Sequence, residues 1–157
     1  MVIVGQSLCG PCMAKQEPFY GGSGKHLDRA FARAQIDKID LYITNVVHCH
    51  PPNNRASLPQ EVANCAPYLS AELDIVRPRL AIGLGDDAKA ALRENYPTSP
   101  QLDWPLLTID GLEPGVPGRP VLLFPRHPGS FRWIRKELRD DMTEQWVDCL
   151  ARALRWA

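Results

Sequence analysis

Short runs of apolar residues alternate with amphipathic segments along this chain. Four runs rich in aliphatic and β-branched residues are typical of buried parallel strands: residues 1–5, 41–47, 79–85 and 121–125. Apolar residues recur at helical spacing in four further segments: residues 25–34, 57–76, 86–95 and 133–156. This alternation predicts an α/β fold, a three-layer α/β/α sandwich around a central, mainly parallel four-stranded sheet, built by residues 1–157 as a single domain.

Local signals refine three parts of this pattern. Ser57 and Gln60 have the spacing of a capping box and Pro59 falls in the first turn, so a helix is expected to start at Ser57. Residues 97–120 are rich in loop-forming residues, with an edge strand expected near Leu106. Cys149 lies on the apolar stripe of the last helix, which predicts a core position.

Polar residues follow the predicted strands. Ligands of parallel α/β sheets bind beyond the carboxyl ends of the strands. Here those ends carry Gln6, Asn45 and His127, each at the start of a polar or Pro- and Gly-rich loop. The strand order therefore predicts a site built from these three residues and the loops beside them.

The charge balance gives no sign of a polyanionic partner. Lys and Arg number 18, as do Asp and Glu, so only the Arg-rich run 126–139 could offer a local basic surface, and a solvated helix face explains most of its charges. No apolar run reaches membrane-spanning length and no secretion signal is evident at residue 1. We expect a cytoplasmic protein without membrane attachment, monomeric, whose five cysteines are thiols or ligands.

The most conspicuous short motif is Cys-Gly-Pro-Cys at residues 9–12. This tetrapeptide is the signature of thioredoxin-like redox proteins, which place the first cysteine at the start of a long helix. Pro18 and the glycine cluster at 21–24 cut such a helix short, and Leu8 stands where those proteins carry an aromatic residue. Thiol redox activity is therefore the third-ranked hypothesis.

The motifs around that tetrapeptide carry a stronger signal. They read in order GQ, EPFYGGSGKHLDRAF, LYITNVVHCHPPNNRASLPQEVANC and FPRHPGSFR. Together they resemble the uracil-DNA glycosylase superfamily, most closely its family-4, iron–sulfur-containing branch. The resemblance runs from Gly5 to about Arg132, although the chain lacks the N-terminal Cys-x-x-Cys segment of that branch.

This resemblance implies a DNA repair hydrolase that flips uracil out of DNA and cleaves its N-glycosidic bond. The implied catalytic residues are Gln6, Asn54 and His127; the implied substrate contacts are Phe19, Asn45 and Ser7; the implied DNA contacts are Arg55, Arg126, Ser130, Phe131 and Arg132. Phe131 is expected to wedge into the duplex. Without the resemblance, Phe19 could equally be a core anchor, Asn45 a strand-end cap and His127 an ordinary loop residue.

The sequence departs from the family at position 6, where family-4 enzymes usually carry a glutamate. A glutamine cannot act as a base and can only orient water through hydrogen bonds, so reduced activity is expected. The alternative hypothesis is a glycosylase-fold module that has lost catalysis and binds DNA or protein. No insertion follows Cys49, so the covalent sugar trap of some relatives is not expected.

The cysteines form a second departure. Cys49 and Cys65 match two ligands of the family's 4Fe-4S cluster, and Cys9 and Cys12 could replace the missing pair. Four thiolates could equally hold zinc, and the remaining alternative is that no metal binds.

Overall fold

The fold is a three-layer α/β/α sandwich, seen in a computed structural model that describes residues 1–109 and 111–157, without the side chain of Asn54. All strands of its central sheet are parallel, in the order β2-β1-β3-β5-β4. The strands are β1 (Val2–Ser7), β2 (Tyr42–Val47), β3 (Leu80–Gly83), β4 (Gln101–Leu102) and β5 (Val121–Leu123). The predicted class, layering and parallel sheet are confirmed.

The predicted number of four strands is wrong, because β4 adds a fifth at the sheet edge. The edge strand expected near Leu106 lies at Gln101–Leu102, where it pairs with Leu122 and Leu123. Leu106 follows Pro105, whose nitrogen cannot donate to a sheet, and its buried side chain packs into the core instead. A two-residue strand is too short to produce a periodic signal in the sequence.

Helices cover both faces of the sheet. They are α1 (Gly10–Lys15), α2 (Gly24–Ala34), α3 (Pro59–Val76), α4 (Asp86–Asn95) and α5 (Lys136–Trp156), with short 3₁₀ turns at Lys38–Asp40, Pro52–Asn54 and Pro128–Trp133. No helix in the described ranges has the length and apolar character that crossing a bilayer requires.

Alternation along β1 sends side chains into two separate cores. Ile3 packs with α2 and α5 on one face, together with Leu27 and Leu150. Val2 and Val4 pack on the other face against α3 and α4. Cys149 is buried in the first of these cores, as its place on the apolar stripe predicted.

The start of α3 differs from the predicted capping box. The residue before the helix is Leu58, and its N–H donates to the Glu61 carboxylate at 2.8 Å. Ser57 does not cap the helix; its hydroxyl accepts a hydrogen bond from the side-chain amide of Gln6 at 3.2 Å. The predicted Ser57–Gln60 box was therefore shifted by one residue, and Ser57 is bonded to the end of β1 instead.

Candidate active site

A cleft of about 730 Å³ lies at the carboxyl edge of the sheet, where β1 and β2 end and the segment after β5 begins. Most of the residues assigned from the sequence line it: Gln6, Ser7, Phe19, Asn45, Arg55, His127, Ser130 and Arg132, together with Cys9 and Cys12. Arg126, Phe131, Cys49 and Cys65 are not among its lining residues. Asn54 lies in the turn Pro52–Asn54, and its side chain is outside the described part of the chain.

The innermost part of the cleft is built where β1 and β2 pair. Gly5 is the register partner of Asn45, whose side chain is 7% exposed. A Cβ atom on Gly5 would come within 2.7 Å of Asn45 Oδ1 and 2.7 Å of Phe19 Cζ. Because Gly5 has no side chain, the side-chain amide of Asn45 and the ring of Phe19 can both lie close to the backbone of β1. The side-chain amide of Asn45 makes no hydrogen bond to another described residue. Its N–H donors and its oxygen acceptor therefore stay available to a ligand in the cleft.

Phe19 is held by an unusual backbone. Its φ of 53° lies in the left-handed region that a bulky residue rarely adopts. Gly24 packs against it so closely that a Cβ at Gly24 would fall 1.7 Å from the Phe19 carbonyl oxygen. The loop between α1 and α2 thus fixes the ring at the cleft wall, half-buried against the core, so that the anchoring and ligand-facing interpretations of Phe19 are compatible.

His127 presents one defined nitrogen to the cleft. The backbone N–H of Gly129 donates to its Nδ1 at 3.0 Å, so a neutral ring carries its proton on Nε2. Burial lowers the pKa of His127 below its usual range, and the nearby charge of Arg132 lowers this pKa further. The ring is therefore a neutral hydrogen-bond donor near pH 7.

Arg55 lines the cleft but is paired within the protein. Its guanidinium donates to both carboxylate oxygens of Glu61, at 2.6 and 2.9 Å, and to the carbonyl oxygen of Ala56 at 2.9 Å. The hydrogen bonds from Arg55 and from the Leu58 N–H lower the pKa of Glu61 to about 2. The charge of Arg55 is thus largely balanced at this position.

The segment after His127 corrects one assignment. Phe131 is 3% exposed and packs edge-on against His26 and Trp146, so it cannot wedge into a duplex from this position. Trp133, two residues on, lines the cleft and is 77% exposed, with the Arg132 guanidinium 4.9 Å from its ring centre. The 3₁₀ turn Pro128–Trp133 puts the two aromatic residues on opposite sides, which apolarity alone could not distinguish.

Ser130 and Arg126 make hydrogen bonds within this segment. The Ser130 hydroxyl donates to the His127 carbonyl oxygen at 2.8 Å and accepts from Arg126 Nε at 2.7 Å. Arg126 is exposed at the outer side of the turn. Their observed bonds hold the loop in shape beside the cleft.

The cysteines do not form the expected ligand set. Cys9 and Cys12 are joined in a disulfide, Cys49 is an exposed thiol and Cys65 is buried in the α3 core. Across the described residues, no group of three or more His, Cys, Asp or Glu side chains is arranged to hold a metal ion. Because a cluster or zinc ion needs thiolates, the four cysteines do not fit either group in this arrangement.

Two residues were missed by sequence reasoning. Ser57 contacts Gln6 at the cleft edge, and its spacing to Gln60 directed attention to a helix cap instead. Trp133 is the exposed aromatic residue of the cleft rim, but it follows Phe131 too closely for the sequence to separate them.

Comparison with known proteins gives the family. The model of the uracil DNA glycosylase superfamily matches residues 1–151. The chain therefore belongs to the uracil DNA glycosylase superfamily, as its motifs predicted.

Curated relatives point to the type-4 branch. A type-4 uracil-DNA glycosylase of Archaeoglobus fulgidus is 41% identical over 85 residues, which are 54% of this chain and 43% of that protein. A type-4 enzyme of Pyrobaculum aerophilum is 40% identical over 94 residues, 60% of this chain and 48% of that protein. A type-4 enzyme of Saccharolobus solfataricus is 30% identical over 135 residues, which are 80% of this chain and 60% of that protein. These relatives confirm the predicted closeness to family 4, and the chain spans about half the length of the curated relatives it matches.

Proposed function

We propose that this protein is a DNA repair enzyme that excises uracil from DNA by base flipping and hydrolysis of the N-glycosidic bond. The observation that carries the proposal is the convergence of Phe19, Asn45 and His127 with Gln6 in one cleft at the carboxyl edge of the sheet. The relatives named uracil-DNA glycosylase support the same reaction. We propose the uracil excision named for these relatives for this chain, which covers about half of their length.

Base recognition rests on Phe19 and Asn45. The fixed ring of Phe19 offers a flat apolar face on which the flipped base stacks. The carboxamide of Asn45 has one acceptor and two donors, which match the N–H and carbonyl edge of uracil. Cytosine presents a different pattern on that edge, so the same amide discriminates between the two bases. Ser7, which also lines the cleft, completes the polar wall.

Bond cleavage rests on His127. As the glycosidic bond breaks, negative charge grows on a uracil oxygen and positive charge grows on the sugar. The neutral ring of His127 donates from Nε2 to that oxygen, because Nδ1 is occupied by the Gly129 N–H. A preorganised donor of this kind is worth roughly 100- to 1000-fold in rate.

Water activation is assigned to Gln6, with Asn54 as the second candidate. The Gln6 amide nitrogen donates to Ser57, which leaves its carbonyl oxygen to accept a hydrogen bond from the attacking water. An uncharged amide orients the water without removing its proton and without offsetting the charge of the sugar. The proposed enzyme is therefore slower than one with a carboxylate at position 6.

DNA contact is proposed around the rim of the cleft. Trp133 replaces Phe131 as the aromatic group that can stack on a neighbouring base or enter the gap left by the flipped one. Arg132 lies beside it, and Arg126 and Ser130 brace the same loop. Arg55 contacts a phosphate only if it exchanges part of its pairing with Glu61. We further propose that the protein acts as an intracellular monomer.

The iron–sulfur cluster implied by family 4, or zinc in its place, stays a prediction of the resemblance. The four cysteines do not fit such a group while Cys9 and Cys12 are bonded to each other. Base recognition and bond cleavage are assigned to the residues of the cleft.

The test is base release from a labelled single-stranded oligonucleotide containing one uracil, scored by alkaline strand cleavage. Wild type is expected to cleave, and His127→Ala is expected to lower the single-turnover rate by roughly 100- to 1000-fold. Asn45→Asp keeps the shape of the side chain but removes its donors, so excision is expected to fall sharply. Asn64→Asp, an identical substitution on the exposed side of α3, is the matched control and should leave the rate unchanged.

Binding without base release separates the alternative function. A well-folded protein that binds the oligonucleotide but releases no uracil at enzyme excess would contradict the proposal and support the non-catalytic DNA-binding module. The same assay with a hypoxanthine-containing strand shows whether the pocket reads uracil alone.

A further inference from the structure

We propose that Cys9 and Cys12 form a redox-active disulfide in the wall of the cleft, opened by a dithiol reductant, whose state sets the local order of residues 8–12 in that wall. Both cysteines line the cleft and are bonded to each other. Their Cα atoms lie 5.0 Å apart, within the range that an ordinary disulfide spans. This assignment gives the Cys-Gly-Pro-Cys motif a role that base excision does not use. Its effect on catalysis rests on the proposed function.

The two sulfur atoms differ in accessibility. Cys12 is 4% exposed, whereas Cys9 is half-buried and faces the cleft. An incoming thiolate therefore attacks Cys9 Sγ; the Cys9–Cys12 bond breaks, and Cys12 leaves as a thiolate that takes a proton. The second thiol of the reductant then attacks the reductant's own sulfur in the mixed disulfide and releases Cys9, which takes the second proton. The cysteine pair gains two electrons and two protons, and the reductant becomes a disulfide.

The disulfide closes the first turn of a short helix. Helix α1 has only six residues, and Cys12 is its single buried residue. Helices this short are marginal without tertiary support. Cys9 is its N-cap, with Sγ accepting from the Cys12 N–H at 3.3 Å. Opening the disulfide therefore removes the covalent closure of this first turn and lets residues 8–12 open locally.

The residues around the disulfide are themselves part of the cleft, which Leu8, Cys9, Pro11 and Cys12 line. Leu8 follows Gln6 by two residues, and its carbonyl oxygen bonds to His50 Nδ1 at 2.8 Å. Gln6 in turn bonds to Ser57 at 3.2 Å. Gln6 and Ser7 lie within β1, whereas Leu8 and Cys9 follow the strand and are held by the His50 contact and by the disulfide. We expect the oxidised form to hold residues 8–12 in the cleft wall and the reduced form to loosen them.

The redox role and the metal role of these cysteines exclude each other in the oxidised form. Ligation by Cys9 or Cys12 needs free thiolates, which the disulfide consumes. Of the proposed partner ligands, Cys65 is buried in the α3 core and Cys49 is exposed. Disulfides inside cells are usually transient and redox-sensing, which fits a reversible pair at a functional cleft.

The experiment compares the full chain after oxidation and after reduction with dithiothreitol. Alkylation followed by mass spectrometry is expected to label two more cysteines in the reduced form. The Cys49→Ser variant should lower the count in both forms by the same number and keep the difference of two. The Cys9→Ser/Cys12→Ser variant should show no difference between the two conditions.

Two further measurements test the coupling. Hydrogen exchange in residues 8–12 is expected to speed up several-fold on reduction, with α4 unchanged as an internal reference. Uracil excision is expected to slow several-fold on reduction, and the Cys9→Ser/Cys12→Ser variant should be slow in both conditions. Metal analysis of the reduced sample completes the set.

Each outcome decides one claim. Equal labelling in both conditions, or iron or zinc bound in stoichiometric amounts by the reduced protein, would overturn the redox-active disulfide. A labelling difference with unchanged exchange in residues 8–12 would overturn the coupling of the disulfide to the cleft wall. Absence of excision in both forms would count against the proposed function alone, because labelling and exchange are read without any catalysis.

Discussion

The proposed base pocket depends on two glycines, Gly5 and Gly24, whose missing side chains leave room for neighbouring groups. Gly5 supplies none of the chemistry, yet a Cβ there would touch Asn45 Oδ1 and the Phe19 ring, both at 2.7 Å. Phe19 accepts a left-handed backbone to face that space, and Gly24 gives its carbonyl room. The pocket is therefore made by close backbone approach, which only glycine permits at positions 5 and 24.

The first prediction is that Gly5→Ala closes this pocket. One added methyl group must displace either the Asn45 amide or the Phe19 ring, so we expect KM for the uracil substrate to rise and excision to fall by at least tenfold. Steady-state excision kinetics measure the effect. Gly10→Ala is the matched control, since among the described residues the nearest atom to its Cβ would be His50 Nε2 at 4.0 Å. Equal rates for the two variants would contradict the proposed pocket.

At the scale of elements, the start of α3 ties a helix to the cleft. Glu61 accepts from the Leu58 N–H and from both amino groups of Arg55. These bonds cap the helix and hold the loop 55–58, which includes Ser57 beside Gln6. The hydrogen bonds of Glu61 that cap α3 therefore also hold Ser57, the partner of Gln6, in place.

The second prediction concerns the pH dependence of this cap. The pKa of Glu61 is about 2 in the folded protein against 4.5 for an ordinary glutamate. Its contribution to stability is therefore fully present above pH 4.5 and is lost as the pH falls toward 2. Glu61→Gln is expected to lower Tm by a few degrees at pH 7, and the difference from wild type should shrink on acidification.

Thermal unfolding followed by circular dichroism at several pH values measures this difference. Glu94→Gln, in the exposed last turn of α4, is the control and should change Tm little. A Tm difference for Glu61→Gln that does not depend on pH would show that the charge of Glu61 is not what stabilises α3.

At the scale of the whole molecule, two cores on opposite faces of one sheet position the site. The α2 and α5 face includes the largest cluster of buried side chains, among them Leu150 and Phe131. Phe131 contacts Trp146 of α5, whose indole donates to the Arg126 carbonyl oxygen at 2.8 Å. The loop that carries His127 is thus anchored to this core, and packing of α5 supports the catalytic edge.

The third prediction is that Leu150→Ala destabilises the fold. Leu150 is fully buried, so its truncation is expected to cost about 2–5 kcal/mol of unfolding free energy. Leu138→Ala on the same helix is the matched control, because Leu138 is 54% exposed and should cost less than about 0.5 kcal/mol. Urea denaturation measures both. Similar losses for the two variants would contradict the placement of α5 on the sheet.

Features that depend on local periodicity could be predicted from the sequence. Alternating strand and helix patterns established the α/β class, the parallel sheet and the segments of the main helices, since burial of one face imposes a period on the chain. The positions of Gln6, Asn45 and His127 at strand ends followed from the same pattern, because parallel strands end at one edge. These residues do line one cleft.

Features that depend on contacts between distant segments became visible in the folded chain alone. The two-residue edge strand β4 exists through its pairing with β5, and Ser57 bonds to Gln6 across fifty residues of chain. Packing against Trp146 buried Phe131 and left Trp133 at the cleft rim, although both are aromatic residues of one loop. The fate of Cys9 and Cys12 was open for the same reason. A thiol becomes a ligand or a disulfide according to what the folded chain brings within reach, and here each cysteine meets the other.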